Sequence, residues 1–338
     1  MPFEIVPSGT NINFLGYRRI CLALSMTLIG LGIVAIFVRG GVPMGIDFVG
    51  GTEVQLLFGD EVQTDESVIR DVAREAGFAD ASVVRFGEIG SNEYSIRFKA
   101  DPETQEAGEG DEPVDGLASN TRIIRLEKAM RTRIGEFTEQ RVEFVGPRVG
   151  AELRADGANA LLYSALAILA YVTFRFNARF APGAVVAVVH DLAITGGLLV
   201  MAGVEFDLRI LAAMLAILGY SLNDTIIIYD RIRENMEIHT SVDLEELLNT
   251  SVNQTLSRTV LTSMTTIMTL LSLYFLGGEV IRPFAFTMLI GVVVGTYSSI
   301  FIASPLLLFL ETRYGDAGSG GGKSVSERKR GSKKPARA

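Results

Sequence analysis

Tryptophan is absent from this 338-residue chain, and cysteine occurs once, as Cys21. A single cysteine excludes an intramolecular disulfide framework and leaves the redox compartment unread. At the start of an apolar run, Cys21 reads as a small side chain facing lipid or a neighbouring helix. No Gly-x-x-x-x-Gly-Lys-Ser/Thr sequence occurs, so ATP is not the direct energy source. Charge is also scarce over long stretches. Residues 20–38, 181–204 and 284–310 hold few charged side chains or none, whereas acidic residues crowd between Asp47 and Asp156. With 48% hydrophobic residues and its charges segregated in this way, the chain cannot be one water-soluble core.

A hydrocarbon layer of about 30 Å needs roughly 20 apolar residues per helix. Stretches of about that length at 17–38, 158–174, 181–204, 210–229, 258–276 and 284–310 predict six transmembrane spans. The first follows Tyr17-Arg18-Arg19, a flank that secretory signals share. Its full span length and lack of a small-residue cleavage site predict a retained helix. Basic residues gather at Arg18-Arg19, 175–179, 230–233 and 328–337, and few lie at 205–209 or 277–282. The bias of Lys and Arg toward the cytoplasm then puts both termini inside and 40–157 outside an inner or plasma membrane.

The expected division is a cytoplasmic N-terminus and first span (1–39), an extracytoplasmic α+β domain (40–157), spans two to six (158–310) and a disordered basic cytoplasmic tail (311–338) lying near anionic lipid. The outer segment holds 24 acidic against 13 basic residues, which suits a water-facing domain and excludes a nucleic-acid surface. Alternating patterns at 52–58, 82–86, 93–98 and 141–145 predict strands, and 64–76, ending at Gly77, and 120–134 predict helices. Strand, helix, strand, strand, helix, strand is the ferredoxin-like order. Residues 101–116, rich in Asp, Glu, Pro and Gly, read as a loop between the third strand and second helix. Near 240–256, an apolar stripe of Leu244, Leu247, Leu248, Val252 and Leu256 predicts a surface helix between spans four and five.

Ionisable side chains in hydrocarbon cost about 2.5–3.5 kcal/mol each on insertion scales, so His190, Asp191, Asp224 and Arg258 need more than packing to explain them. His190 lies about eight residues into span three and Asp224 about six residues before the end of span four. At about 1.5 Å per residue both sit roughly 10 Å from the cytoplasmic face, near the entry of Arg258. Span five repeats Arg258, Thr262, Thr265, Thr266 and Thr269 on one face, either to support a water chain or to bond the preceding turn's carbonyls. Asp224 must be paired, protonated or hydrated, which makes it able to titrate. His190 either titrates as well or simply satisfies a neighbour, with Asp191 as its partner. Gly291-Val-Val-Val-Gly295 has the small-xxx-small spacing of close helix packing.

Met44-Gly45-Ile46-Asp47-Phe48-Val49-Gly50-Gly51-Thr52, Val145-Gly146-Pro147-Arg148-Val149-Gly150, His190-Asp191, Gly219-Tyr220-Ser221-Leu222-Asn223-Asp224-Thr225, Asp230-Arg231-Ile232-Arg233-Glu234-Asn235 and Arg258-Thr259 with Thr262-Ser263 occur in this order over nearly the whole chain. This set closely resembles the SecF family of protein-export membrane proteins, within the resistance-nodulation-division superfamily. The resemblance implies a six-helix half bundle with an inserted outer domain, and a partner resembling SecD. It further implies that preproteins leaving a SecY-type (SecYEG) channel are pulled out with the energy of an ion gradient. It assigns Asp224 and Arg258 to the proton path, with His190, Asp191, Asn223 and Thr262 as further candidates. No catalytic residue, cofactor or metal is expected. An exporter subunit of the same superfamily is the alternative; the six-span length argues against it. An intramembrane aspartyl protease built on Asp191 and Asp224 lacks the expected Gly-x-Gly-Asp sequence, and an accessory role without ion coupling remains open.

Overall fold

The computed structural model describes residues 7, 10–59, 61–62, 64–86, 91–99, 115–176, 179–239 and 242–314. A 3-10 turn, Leu15–Tyr17, leads into helix α1, Arg18–Val38. After the single turn α2 (Ile46–Val49) come β1 (Gly51–Phe58), α3 (Glu66–Glu75), β2 (Ser82–Phe86), β3 (Glu93–Lys99), α4 (Asp115–Arg133) and β4 (Phe137–Val145). The chain then runs through α5 (Pro147–Phe176), α6 (Ala181–Ala202), α7 (Leu208–Ile238), α8 (Leu244–Leu276) and α9 (Gly278–Ser298). A π-helical turn, Ser299–Ala303, joins α9 to α10, Ser304–Tyr314. Six helical segments are long and apolar enough to cross a membrane: Leu15–Val38, Pro147–Phe176, Ala181–Ala202, Leu208–Ile238, Leu244–Leu276 and Gly278–Arg313.

The helices run further than the apolar stretches. Pro147 opens α5 ahead of the expected 158, because its fixed φ suits a first helical position whose N–H would be unpaired anyway. The surface helix expected near 240–256 is instead the first half of a single helix, α8. No Gly or Pro interrupts 244–276, and the stripe Leu247, Leu248, Val252 and Leu256 is buried in the same core as Tyr229 and Ile232 of α7. Residues 115–116 of the expected acidic loop form the first turn of α4, and 101–114 lie outside the described residues. Residues 311–314 of the expected tail continue α10, and 315–338 are likewise outside them.

The four strands form one antiparallel sheet of order β2-β3-β1-β4. Val54, Leu56 and Phe58 of β1, Ile96 and Phe98 of β3, Ile69 and Val72 of α3 and Leu126 and Met130 of α4 make a buried core on one face. Each such side chain contributes about 1.5–3 kcal/mol on burial. Asp65 caps α3, accepting from Ser67 N at 2.8 Å and Val68 N at 3.0 Å, and Gly77 follows that helix with φ +99°. The fourth strand starts at Phe137, before the expected 141. A register shift between Gln55 and Leu56 absorbs Gln140 as a bulge, and the pattern loses its alternation there.

The two glycine-rich motifs flanking this domain meet in space. Gly50 has φ +82°, and a Cβ on Gly150 would lie 2.9 Å from Gly50 N. Only bare backbone at both positions lets the start of α5 press against the turn that opens β1. On the same level Gly45 N donates to Phe206 O at 2.7 Å, Phe206 N donates to Pro43 O at 2.7 Å, and Asp47 Oδ2 accepts from Leu208 N at 3.0 Å. The α+β domain is thereby pinned to the first turn of α7.

In the bundle, α6, α7 and the segment that begins with α9 are more enclosed than the other spans, and α9 packs on both α6 and α7. Gly291 and Gly295 face Ile217 and Ser221 of α7, so their spacing serves packing within this chain. Apolar side chains such as Phe37, Phe174 and Phe275 face outward from α1, α5 and α8.

Candidate functional site

Asp224 points from α7 into the contact between α8 and α9 and is 1% exposed. Its Oδ2 accepts from Ser263 Oγ of α8 at 3.5 Å and from Thr296 Oγ1 of α9 at 3.4 Å, while these hydroxyls lie 2.7 Å from each other. Its Oδ1 has no hydrogen-bond partner among the described residues, and Thr259 Oγ1, one turn from Ser263, is buried and unpartnered too. Two long hydrogen bonds on one oxygen and none on the other are poor compensation for a buried carboxylate. The group is therefore one on which an added proton, water or cation has a large effect.

Of the other expected members of the relay, only Arg258 is near enough for its charge to act on Asp224 among the described residues, and Asn223 and Thr262 face elsewhere. Arg258 is exposed on α8 and forms no ion pair within 4.0 Å among the described residues. Asn223 is exposed on α7. Thr262 bonds its own helix, donating to Arg258 O and Thr259 O at 3.0 Å. Thr265, Thr266 and Thr269 do likewise, donating to Leu261 O, Thr262 O and Thr265 O at 3.0–3.1 Å. The hydroxyls that do reach Asp224 are Ser263 and Thr296. Ser263 is legible as i+4 from Thr259, whereas Thr296, beside Gly295 in another span, gives no sequence signal.

His190 and Asp191, on α6, belong to a second polar group, which meets α7 at Ser221, one turn before Asp224. Asp191 Oδ2 accepts from Ser298 Oγ at 2.8 Å and from Ser221 Oγ, and Asp191 Oδ1 lies 2.9 Å from His190 Nδ1. His190 Nε2 lies 2.9 Å from Ser25 Oγ of α1, which is 3.0 Å from the Tyr297 hydroxyl; that hydroxyl donates to Cys21 O at 2.6 Å. Among the described residues Asp191 and Asp224 share no hydrogen-bond partner and no hydrogen bond joins them, so the paired-carboxylate geometry of an aspartyl protease is not formed there.

Where the α+β domain meets the bundle, a cavity of about 280 Å³ is lined by Asp47, Glu53, Arg97, Arg141, Glu143 and Arg209, among others. Burial pushes the Glu53 carboxyl up, but the Arg97 charge and hydrogen bonds from Ser95, Arg97 and Gln55 outweigh it and hold the group below its ordinary value. Arg209 ties this joint together, pairing with Asp207 and donating from Nη1 to Val280 O at 2.9 Å.

Residues 125–313 match the family model described as protein export membrane protein SecD/SecF, C-terminal. The protein translocase subunit SecF of Calditerrivibrio nitroreducens is 41% identical over 317 residues, covering 91% of this chain and 97% of that protein. The chain belongs to the SecD/SecF family. SecF of Pseudomonas aeruginosa is 38% identical over 300 residues, covering 89% of this chain and 92% of its own. Among solved structures, SecDF of Thermus thermophilus, titled a translocon-associated membrane protein, superposes with TM-score 0.74 at 35% identity over 92% of this chain. SecDF in its super-membrane-facing form gives TM-score 0.68 at 34% identity over 94%. The chain spans 40% of the length of either SecDF chain. Six apolar helices together with these SecF relatives make it a multi-pass inner-membrane protein.

Proposed function

We propose that this chain is the SecF subunit of a Sec protein translocase, acting with a SecD-type partner to pull preproteins out of a SecYEG-type channel at the expense of an ion gradient. In this reading Asp224 takes up and releases the ion, and Arg258 modulates its charge from α8. The carrying observation is the buried Asp224 carboxyl, which has one oxygen unpartnered and the other held by two long hydrogen bonds, in a chain of SecF relatives. Asn223 and Thr262 have weaker support, because neither side chain faces Asp224. No catalytic chemistry is assigned.

The α+β domain is read as ferredoxin-like, supported by the sheet order and by helices on a single face. It is placed outside the cytoplasm and both termini inside, on the distribution of basic residues. Membrane lipid covers the outward apolar faces that SecD does not. Asp224→Asn keeps the shape and removes titration, so it is expected to accumulate normally and to lose gradient-dependent preprotein release in cells depleted of the native protein. Full secretion by Asp224→Asn at equal abundance would leave Asp224 a structural residue.

A further inference from the structure

Along α1 the buried residues are Ser25 and Gly32, seven positions apart. Their partners on α6 are also seven apart. Ser25 Oγ meets His190 Nε2 at 2.9 Å, and a Cβ on Gly32 would lie 2.8 Å from Gly197 Cα. Seven residues are two helical turns, so α1 rides on α6 along a narrow seam with one polar and one backbone contact. Above the seam Arg39 Nη2 donates to Met201 O at 3.2 Å, and the next residues enter the joint with Phe206. Neighbouring α1 side chains such as Leu24 and Met26 face outward.

The polar contact of this seam is wired to the α9 segment that also touches Asp224. His190 is oriented by Asp191 Oδ1 and by its ring stacked on Tyr297, with centroids 6.1 Å apart. Asp191 Oδ2 in turn accepts from Ser298, two residues beyond Thr296, the partner of Asp224. Ser299 opens the π turn and sits 2.8 Å from Thr225 Oγ1 of α7. A π turn inside a helix is rare and recurs at functional sites. Rotation of α9 that strengthens or breaks Thr296–Asp224 necessarily moves Ser298 against Asp191.

We propose that His190 and Ser25 are positioning residues that couple the Asp224 site, through α9 and Asp191, to α1 and so to the α+β domain, without themselves carrying the transported ion. The inference rests on the reading of Asp224 given above.

The test uses the complex with its SecD-type partner in vesicles and in depleted cells. Ser25→Ala and His190→Ala are each expected to cut export several-fold at equal abundance, with the double variant no worse than the weaker single one. His190→Gln presents an amide N–H near the position of Nε2 and does not titrate, so it is expected to keep most export. Thiol labelling of Glu205→Cys at the joint, in a Cys21→Ala background, is expected to respond to an imposed gradient, and Ser25→Ala to abolish that response without changing the basal rate. Additive single effects, His190→Gln as defective as His190→Ala, or a gradient response that persists in Ser25→Ala would each overturn the proposal. Should Ser25→Ala fail to accumulate, His190→Ala, which removes the other half of the same contact, carries the labelling comparison. Asp224→Asn is measured in parallel. Full export by that variant removes the ion reading of Asp224, whereas the Ser25–His190 cycle is judged by its own non-additivity.

Discussion

Asp191 and Asp224 are equally buried, yet their surroundings prepare them for different work. The first holds two hydroxyls and an imidazole; the second has one oxygen without a hydrogen-bond partner among the described residues. A fully satisfied buried network is rigid, whereas an unpaired buried polar atom is costly, and on that difference rests the proposal that Asp224 rather than Asp191 takes up the ion. Outside the membrane a third acidic centre has its own consequence. The bulge at Gln140 sets Glu139 opposite Leu56 and so on the side covered by α4. Burial of Glu127 on α4, its hydrogen bond with Glu139 and the repulsion of that carboxylate push its pKa up from 4.5 to about 7, against the pull of Arg131. The folded form then keeps a proton that the unfolded chain releases, so stability falls as pH rises from 4.5 through about 7 and levels off above. Hydrogen exchange of α4 in the full-length protein, corrected for intrinsic rates, is expected to show this loss of protection, and Glu139→Gln to flatten it. An unchanged slope in Glu139→Gln would exclude the pair as its cause.

At the scale of elements, the bundle depends on how closely α9 approaches α7. A Cβ on Gly295 would stand 2.9 Å from Ser221 Cβ and 3.2 Å from its Cα, so any side chain there drives the helices apart. Gly295→Val is expected to cost about 1–3 kcal/mol by overpacking, and to displace Ser221 and Ser298 from Asp191 at the same time. Gly219→Ala is the control, because nothing lies within 4 Å of the added carbon. Thermal unfolding in detergent is expected to fall for Gly295→Val and to hold for Gly219→Ala. Equal melting of the two would show that α9 yields freely. The continuity of α8 belongs to the same scale: one rigid helix carries the apolar stripe at Leu247 and Leu248 and the hydroxyl that reaches Asp224, so the two ends move together.

For the whole molecule, the decisive property is sidedness. The α+β domain enters and leaves the bundle through neighbouring strands, with Gly51 of β1 opposite Val145 of β4, so it is a single insertion between α1 and α5. Topology follows from where that insertion lies. Thr138 is exposed on the edge strand β4, and Thr138→Cys in a Cys21→Ala background is expected to react with an impermeant maleimide from the outer face of intact spheroplasts. Reaction only after the membrane is ruptured would invert the topology and reassign every cytoplasmic and outer face.

Sequence alone determined the number of spans, the strand and helix order of the inserted domain and the family, because those signals are local: apolar runs of span length, alternation, and short motifs in fixed order. It also marked Asp224 and His190-Asp191, since charge in an apolar stretch is conspicuous by itself. The tertiary structure decided which hydroxyls they meet. Thr262 lies within one turn of Ser263, yet about 100° per residue turns the first toward its own backbone and the second toward Asp224. Thr296 and Ser298 on α9 and Ser25 on α1 are far in the chain from the side chains they meet, and no periodicity within one helix encodes its rotation against another. The same holds for Gly32 on Gly197 and Gly150 on Gly50: each glycine is visible in the sequence, but its partner is set by the crossing of backbones that only the assembled bundle brings together.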